Sequence, residues 1–167
     1  LTGHPGIPSN AITETGIDER LIEEISEKRF QWPRSEELFT SPLMLIRELD
    51  SLPTAYWDRS NLGFKQSIVG IHAPPDQGAA LKEFYNAFRS RVNIYQFFVA
   101  LTGSQALIVQ ATATTQGDIE SLPFPTEGDE LDLSFWESAL ATDVTNYIAQ
   151  YVRLGHKSQV LTQTAIP

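Results

Sequence analysis

The chain of 167 residues contains no cysteine. Disulfide frameworks, zinc–thiolate sites and a cysteine nucleophile are therefore excluded. It has no apolar run approaching the roughly 18 residues of a membrane-crossing helix, so no contact with a membrane is expected. Leu1 to Gly6 offers neither the basic nor the apolar stretch of a secretory signal. An initiator Met is lacking as well, and the chain reads as a piece of a longer protein. The absence of cysteine fits a cytoplasmic one.

Bases are also scarce. Twelve Lys and Arg stand against 21 Asp and Glu, a net charge of −9. Phosphate contacts need Lys and Arg, so this balance works against nucleic-acid binding by the surface as a whole. The charge is unevenly spread. Residues 41–116 hold six bases (Arg47, Arg59, Lys65, Lys82, Arg89, Arg91) and five acids (Glu48, Asp50, Asp58, Asp76, Glu83), or +1. The remainder holds six bases and 16 acids, or −10. A near-neutral middle leaves room for a DNA site; acidic flanks serve solubility or a partner.

Hydrophobic residues make up 41% of the chain, enough for a core in one domain. Residues 1–15 mix Gly, Pro, Ser, Asn and Thr and read as a flexible lead-in. Asp18 is placed to cap a helix carrying Leu21, Ile22 and Ile25, which should stop by Trp32 before Pro33. Ser35 to Phe39 is a short turn. Residues 41–49, centred on Leu43, Met44, Leu45 and Ile46, read as a buried strand. Thr54 to Trp57 is a second strand, residues 58–63 a turn, and residues 66–72 a third strand.

The longest periodic signal follows. Leu81, Phe84, Tyr85, Phe88, Val92, Tyr95, Phe98 and Val99 fall at helical spacing within residues 76–102. Asp76 is a candidate start cap and Gly103 a candidate left-handed stop. The aromatic stripe reads as core, with a base-stacking platform as the sharper alternative. Residues 104–114 then predict a strand, Asp118 to Leu122 a helical turn, and Pro123 and Pro125 an extended exit. Ser134 caps a last helix over 134–154, ended by Gly155, and residues 158–167 form a tail. The expected fold is α/β of the α+β kind. A small, mostly antiparallel sheet packs on a long central helix, with flanking N- and C-terminal helices. One domain spans 16–157, with its core at 41–125.

No catalytic signature stands out. Ala73-Pro74-Pro75-Asp76 lacks the acceptor and the aromatic that an amino-methylating active site needs. Glu127, Asp129, Glu130 and Asp132 cluster in sequence, but no basic residue lies beside them for metal-dependent cleavage. His4, His72 and His156 are isolated, and no Ser–His–Asp arrangement follows from their order.

The order of parts from Phe64 to Pro125 resembles the target-recognition (specificity) region of adenine-specific DNA methyltransferases in restriction-modification systems. A short strand precedes a long helix, a second strand follows, and a phrase closes the unit. Asp118, Ile119, Leu122, Pro123, Phe124 and Pro125 carry that phrase. The helix's usual Leu-Asn-Ser is only partly met, by Tyr85-Asn86-Ala87-Phe88. The resemblance covers residues 41–125. It implies a module that chooses the DNA sequence for a separate methyltransferase domain or subunit. That neighbour would use S-adenosylmethionine, with or without an endonuclease activity. The fragment itself would bind no cofactor or metal and catalyse nothing. Double-stranded DNA is the implied partner.

Reading base edges takes Arg, Asn, Gln, Ser or Thr, and holding phosphates takes Arg and Lys. The residues so placed are Arg59 and Asn61 (with Ser60) in the turn, and Lys65 and Gln66 at the third strand. Arg89 and Arg91 lie on the long helix, and Thr114 and Gln116 (with Thr112 and Thr115) near the later strand. The competing function is a protein-interaction module whose acidic faces dock a partner subunit. A third, a metal-dependent hydrolase, requires carboxylates that converge.

Overall fold

In the computed structural model, residues 1–26, 35–65, 67–104, 114–123 and 133–154 are described. The fold is mixed α and β. The strands are β1 (Pro5–Ile7), β2 (Ile12–Thr13), β3 (Gly16–Ile17), β4 (Glu23–Glu24), β5 (Leu43–Arg47), β6 (Thr54–Trp57), β7 (Gly63–Phe64) and β8 (Ile68–His72). The helices are α1 (Gly78–Ser90), α2 (Val92–Thr102), α3 (Gln116–Glu120) and α4 (Phe135–Leu154). The backbone divides into two compact units. One holds Leu1–Glu48 and Leu52–Ser90, the other Leu49–Ser51 and Arg91–Pro167.

In the first unit, β5 is the middle strand of an antiparallel β6-β5-β8 sheet. Leu43 pairs with Trp57 on one side and His72 on the other. Side chains alternate across a strand, yet Leu43, Met44, Leu45 and Ile46 are all fully buried, so β5 is covered on both faces. Leu43 and Leu45 join Ile7, Ala11, Ile12, Ala55, Trp57, Leu62 and Ile68 in one cluster. On the other face α1 packs on β5 and β6. Tyr56, opposite Met44, donates from its hydroxyl to the Gly78 carbonyl at 3.2 Å, and its ring lies 5.7 Å from that of Tyr85. Strands 43–47, 54–57 and 68–72 thus lie where the apolar runs place them.

The N-terminal residues depart from the sequence reading. The stretch expected to be a flexible lead-in supplies β1, a single 3₁₀ turn at Ser9–Ala11 and β2, and buries Ile7, Ala11 and Ile12 in the core. β1 pairs with β4 and with β7, while β2 pairs with β3. No helix forms over residues 19–26. Asp18 does cap, accepting from the Arg20 amide, but it caps a single 3₁₀ turn at Glu19–Leu21. Glu23 and Glu24 then pair with Gly6 and Pro5. That pairing takes the backbone groups a helix would use, so the tertiary context overrides the apolar spacing. The close approach is possible because Gly6 opposes Gly63 across the ladder and the Ile25 side chain lies over both.

The long central helix is interrupted. Arg91 adopts φ −115° and ψ 13°, ending α1 and capping α2. The Ser90 hydroxyl donates to the Ala87 carbonyl at 2.9 Å, competing for the acceptor that the Arg91 amide would use. Asp76 lies inside a 3₁₀ turn, Pro75–Gln77, ahead of α1 rather than at its cap. Gly103 closes α2 in an extended conformation, φ −60° and ψ 150°, not a left-handed one.

In the second unit α2 packs on α4 and α3. Tyr95 and Val99 of α2, Ile119 and Leu122 around α3, and Ala141 and Ile148 of α4 are buried. Thr115 and Asp118 form a reciprocal cap at the start of α3. Ser134 and Glu137 do the same before α4, where the Ser134 hydroxyl donates to the Glu137 carboxylate at 2.6 Å and accepts from the Glu137 amide. The expected strand at 104–114 lies almost wholly outside the described residues, and the acidic loop at 126–132 and the 158–167 tail lie wholly outside them.

Candidate nucleic-acid interface

Arg59 follows β6, in the segment that leads to β7. Its guanidinium donates to the Glu19 carboxylate at 2.6 Å and lies 5.1 Å from the centre of the Trp57 ring. The hydrogen bond and charge of Glu19 hold the Arg59 pKa above its ordinary value, so it is a permanent cation. Both side chains of the pair stay more than half exposed (62% and 55%), and so water and salt screen it heavily. Arg89 ends α1. It donates to the Glu14 carbonyl at 3.0 Å and to the Tyr85 hydroxyl at 3.1 Å, and its guanidinium lies 5.8 Å from the Tyr85 ring centre. It makes no ion pair among the described residues.

Two arginines thirty residues apart therefore rest on the two ends of one short segment, Glu14 to Glu19, which contains β3. Five residues of extended chain span at most about 18 Å. The β2–β3 hairpin thus gathers Arg59 and Arg89 into one neighbourhood. It turns at Glu14–Thr15. The Thr13 hydroxyl donates to the Gly16 carbonyl at 2.9 Å, and Gly16 takes φ +124°, open to glycine and strained for other residues. Sequence reasoning missed the hairpin. Its signal was turn chemistry, Thr13-Glu14-Thr15-Gly16, between two isoleucines, submerged in a Gly- and Pro-rich stretch.

The other expected residues divide by position. Lys65 is exposed directly after β7. Asn61 is half-buried in the same connection, and Gln66 lies outside the described residues. Arg91, Thr114 and Gln116 belong to the second unit. Burial raises the Tyr95 phenol above its ordinary pKa, and the charge and hydrogen bond of Arg91 offset part of that rise, so Arg91 is turned to its own helix. Gln116 donates to the Glu120 carboxylate at 2.7 Å. Thr114 corrects the expectation of an exposed polar edge. It is 2% exposed, and its hydroxyl has no hydrogen-bond partner among the described residues. A buried hydroxyl cannot reach a base edge without local opening.

Asp118, the first residue of the closing phrase, has a structural occupation. One carboxylate oxygen accepts from the Ser104 amide at 2.7 Å. The other accepts from the Thr115 amide and hydroxyl, both at 2.8 Å, and from the Ser104 hydroxyl at 3.0 Å. Burial pushes its pKa up, but the four donors outweigh burial and hold it below the ordinary carboxylate value. Asp118 is thus a hydrogen-bonded clasp from α3 to the end of α2, while Phe124 and Pro125 of the phrase lie outside the described residues.

Ala73-Pro74-Pro75-Asp76 runs from β8 into a 3₁₀ turn, and Ala73 has no side-chain acceptor for an amino group. β8 reaches α1 through Ala73, Pro74 and the 3₁₀ turn Pro75–Gln77. No group of three or more His, Asp or Glu converges for a metal among them, and Glu127 to Asp132 lie outside them. No described helix is long and apolar enough to cross a membrane. Comparison with protein-family models, with curated proteins and with solved structures finds no match to this chain.

Proposed function

We propose that this chain is the DNA target-recognition part of an adenine-specific restriction-modification methyltransferase, working in the cytoplasm. A separate domain or subunit would bind S-adenosylmethionine, flip the adenine and transfer the methyl group. The observation that carries the reading is the pair of arginines gathered by the β2–β3 hairpin. Arg59 and Arg89 are far apart in sequence, project from the ends of packed elements and lie at the surface. The order of parts adds support. An antiparallel sheet precedes α1 and α2, and the phrase that opens at Asp118 begins within α3, with Ile119 and Leu122 buried. The backbone between the contact points of Arg59 and Arg89 extends at most about 18 Å, the length of about five nucleotide steps along a duplex strand. The Arg59–Glu19 pair is exposed, so exchanging the carboxylate for a phosphate oxygen costs little.

The test is fluorescence anisotropy of the full chain with a mixed-sequence DNA duplex across a salt series. Binding should weaken as salt rises. Arg59→Ala with Arg89→Ala should lower affinity for every sequence and reduce the salt slope by about 2, one for each lost phosphate contact. An unchanged slope in the double variant, or no salt-sensitive binding by the native chain, would overturn the reading. Binding to a protein partner that ignores salt would favour the interaction-module alternative.

A further inference from the structure

The second unit carries an apolar surface that the DNA reading does not use. On α4, Trp136 is 78% exposed, Leu140 63% and Tyr147 42%. At 100° per residue these three side chains fall within about 40° of one another around the helix axis. They form one stripe, about 100° from the buried Ala141 and Ile148. Phe135, 76% exposed, stands at its head with its ring 5.3 Å from that of Trp136. Large aromatics in a row are uncommon on free surfaces and mark docking sites.

Charge on the same helix selects the occupant. Between Phe135 and Tyr151 the only ionisable carboxylates or bases are Glu137 and Asp143, and both are exposed. Asp143 lies three residues after Leu140 and four before Tyr147, so it borders the stripe directly. Glu137 is held ionised, its pKa lowered by hydrogen bonds from Ser134. The second unit carries nine acids and three bases, or −6. A second copy docked stripe to stripe would set Asp143 against Asp143, since the one base in the sequence of α4, Arg153, comes six residues after Tyr147, beyond the stripe. An anionic lipid surface or a phosphate backbone would be repelled in the same way. A helix with leucine-like anchors and flanking Lys or Arg meets every feature: apolar contact along the stripe, ion pairs to Asp143 and Glu137, and cations over the Trp136 and Tyr147 rings.

We propose that α4 is a docking face for a cationic amphipathic helix of a partner protein, recognised through Trp136, Leu140, Tyr147 and Asp143. This stands apart from DNA recognition, whose arginines lie in the first unit. The probe is a synthetic amphipathic leucine–lysine peptide that forms a helix, with a leucine–glutamate peptide of the same pattern as control. Isotope-edited NMR of the full chain should show shifts along α4 with the first peptide and none with the second. Trp136→Ala with Leu140→Ala should weaken binding at least tenfold. Both side chains are exposed, so the circular dichroism spectrum should stay native. Asp143→Lys should weaken it severalfold and restore some binding of the glutamate peptide. Equal binding of both peptides, shifts away from α4, or full binding by the double variant would overturn the proposal. So would a native dimer that the double variant dissolves, which would assign the stripe to a second copy. None of these outcomes touches the DNA test.

Discussion

Asp118 shows how a single side chain ties sequence to fold. In the sequence it opens a phrase with a family resemblance; in the structure it accepts four hydrogen bonds from Ser104 and Thr115. Hydrogen bonds to a charged acceptor contribute more than neutral ones, so Asp118→Ala should destabilise the second unit by about 1–3 kcal/mol. Urea unfolding of the full chain, followed by circular dichroism, measures this. The pH dependence has a definite sign. The folded pKa is lowered, so the carboxylate's contribution is present above the unfolded value of about 3.9 and fades as pH falls through the folded one. The gap between native and Asp118→Ala stability should therefore be flat near neutrality and close in acid. A gap that widened in acid would refute the clasp. Gly70 gives a second residue-scale lesson: the Phe64 ring occupies the space where its Cβ would sit, and Phe64 in turn lies 4.9 Å from the ring of Phe39. The reach of Asp118 to Ser104 and the Phe64 ring over Gly70 were not legible, because each depends on a neighbour that only the fold brings near.

Elements divide according to how much of their information is local. β5 announces itself through four consecutive large apolar residues, and β6 and β8 through short runs bounded by Pro, Asp and Gly. Ser134 with Glu137 and Thr115 with Asp118 are capping pairs readable from spacing alone. By contrast β1, β2, β3, β4 and β7 have two or three residues each, too few to show alternation. Their pairing is decided by Gly6 facing Gly63 and by Ile12 entering the core, which no window of sequence reports. The false helix at residues 19–26 has the same origin: Leu21, Ile22 and Ile25 have helical spacing, but Glu23 and Glu24 between them pair as β4, and Ile25 exchanges backbone hydrogen bonds with Gly3 and His4. The core role of the N-terminal stretch has a direct consequence. Ile12→Ala should destabilise the chain by about 2–5 kcal/mol, as for a fully buried side chain, where a flexible lead-in would tolerate it within about 0.5 kcal/mol. Loss of Ile12 should also loosen the hairpin that holds Arg59 and Arg89. Thermal unfolding and salt-dependent DNA binding of the same variant would measure both effects.

At the scale of the whole molecule, charge sets the two proposals against each other. The first unit carries nine bases and 12 acids, or −3, and the second −6, together the −9 of the chain. A field of that sign slows approach to DNA and speeds approach to a cationic helix, over a range set by a screening length of about 10 Å at 0.1 M salt. Arg59 and Arg89 must therefore act locally, against the molecule's own potential. The candidate site was legible only as residue types. Its two arginines were named from sequence, but Thr114 is buried, and the hairpin that unites the arginines was hidden. Replacing Glu127, Asp129, Glu130 and Asp132 with their amides removes four negative charges, taking −9 to −5, and leaves the sequence of α4 and both arginines unchanged. Duplex DNA should then associate faster and more tightly at low salt, while the leucine–lysine peptide binds more slowly and more weakly. Both changes should shrink as the screening length falls below the distances involved. Stopped-flow association of each ligand with native chain and variant, at low and high salt, reads the two signs separately. Movement of both ligands in the same direction would show that charge does not sort them, and the division of labour between the arginine pair and the α4 stripe would fall with it.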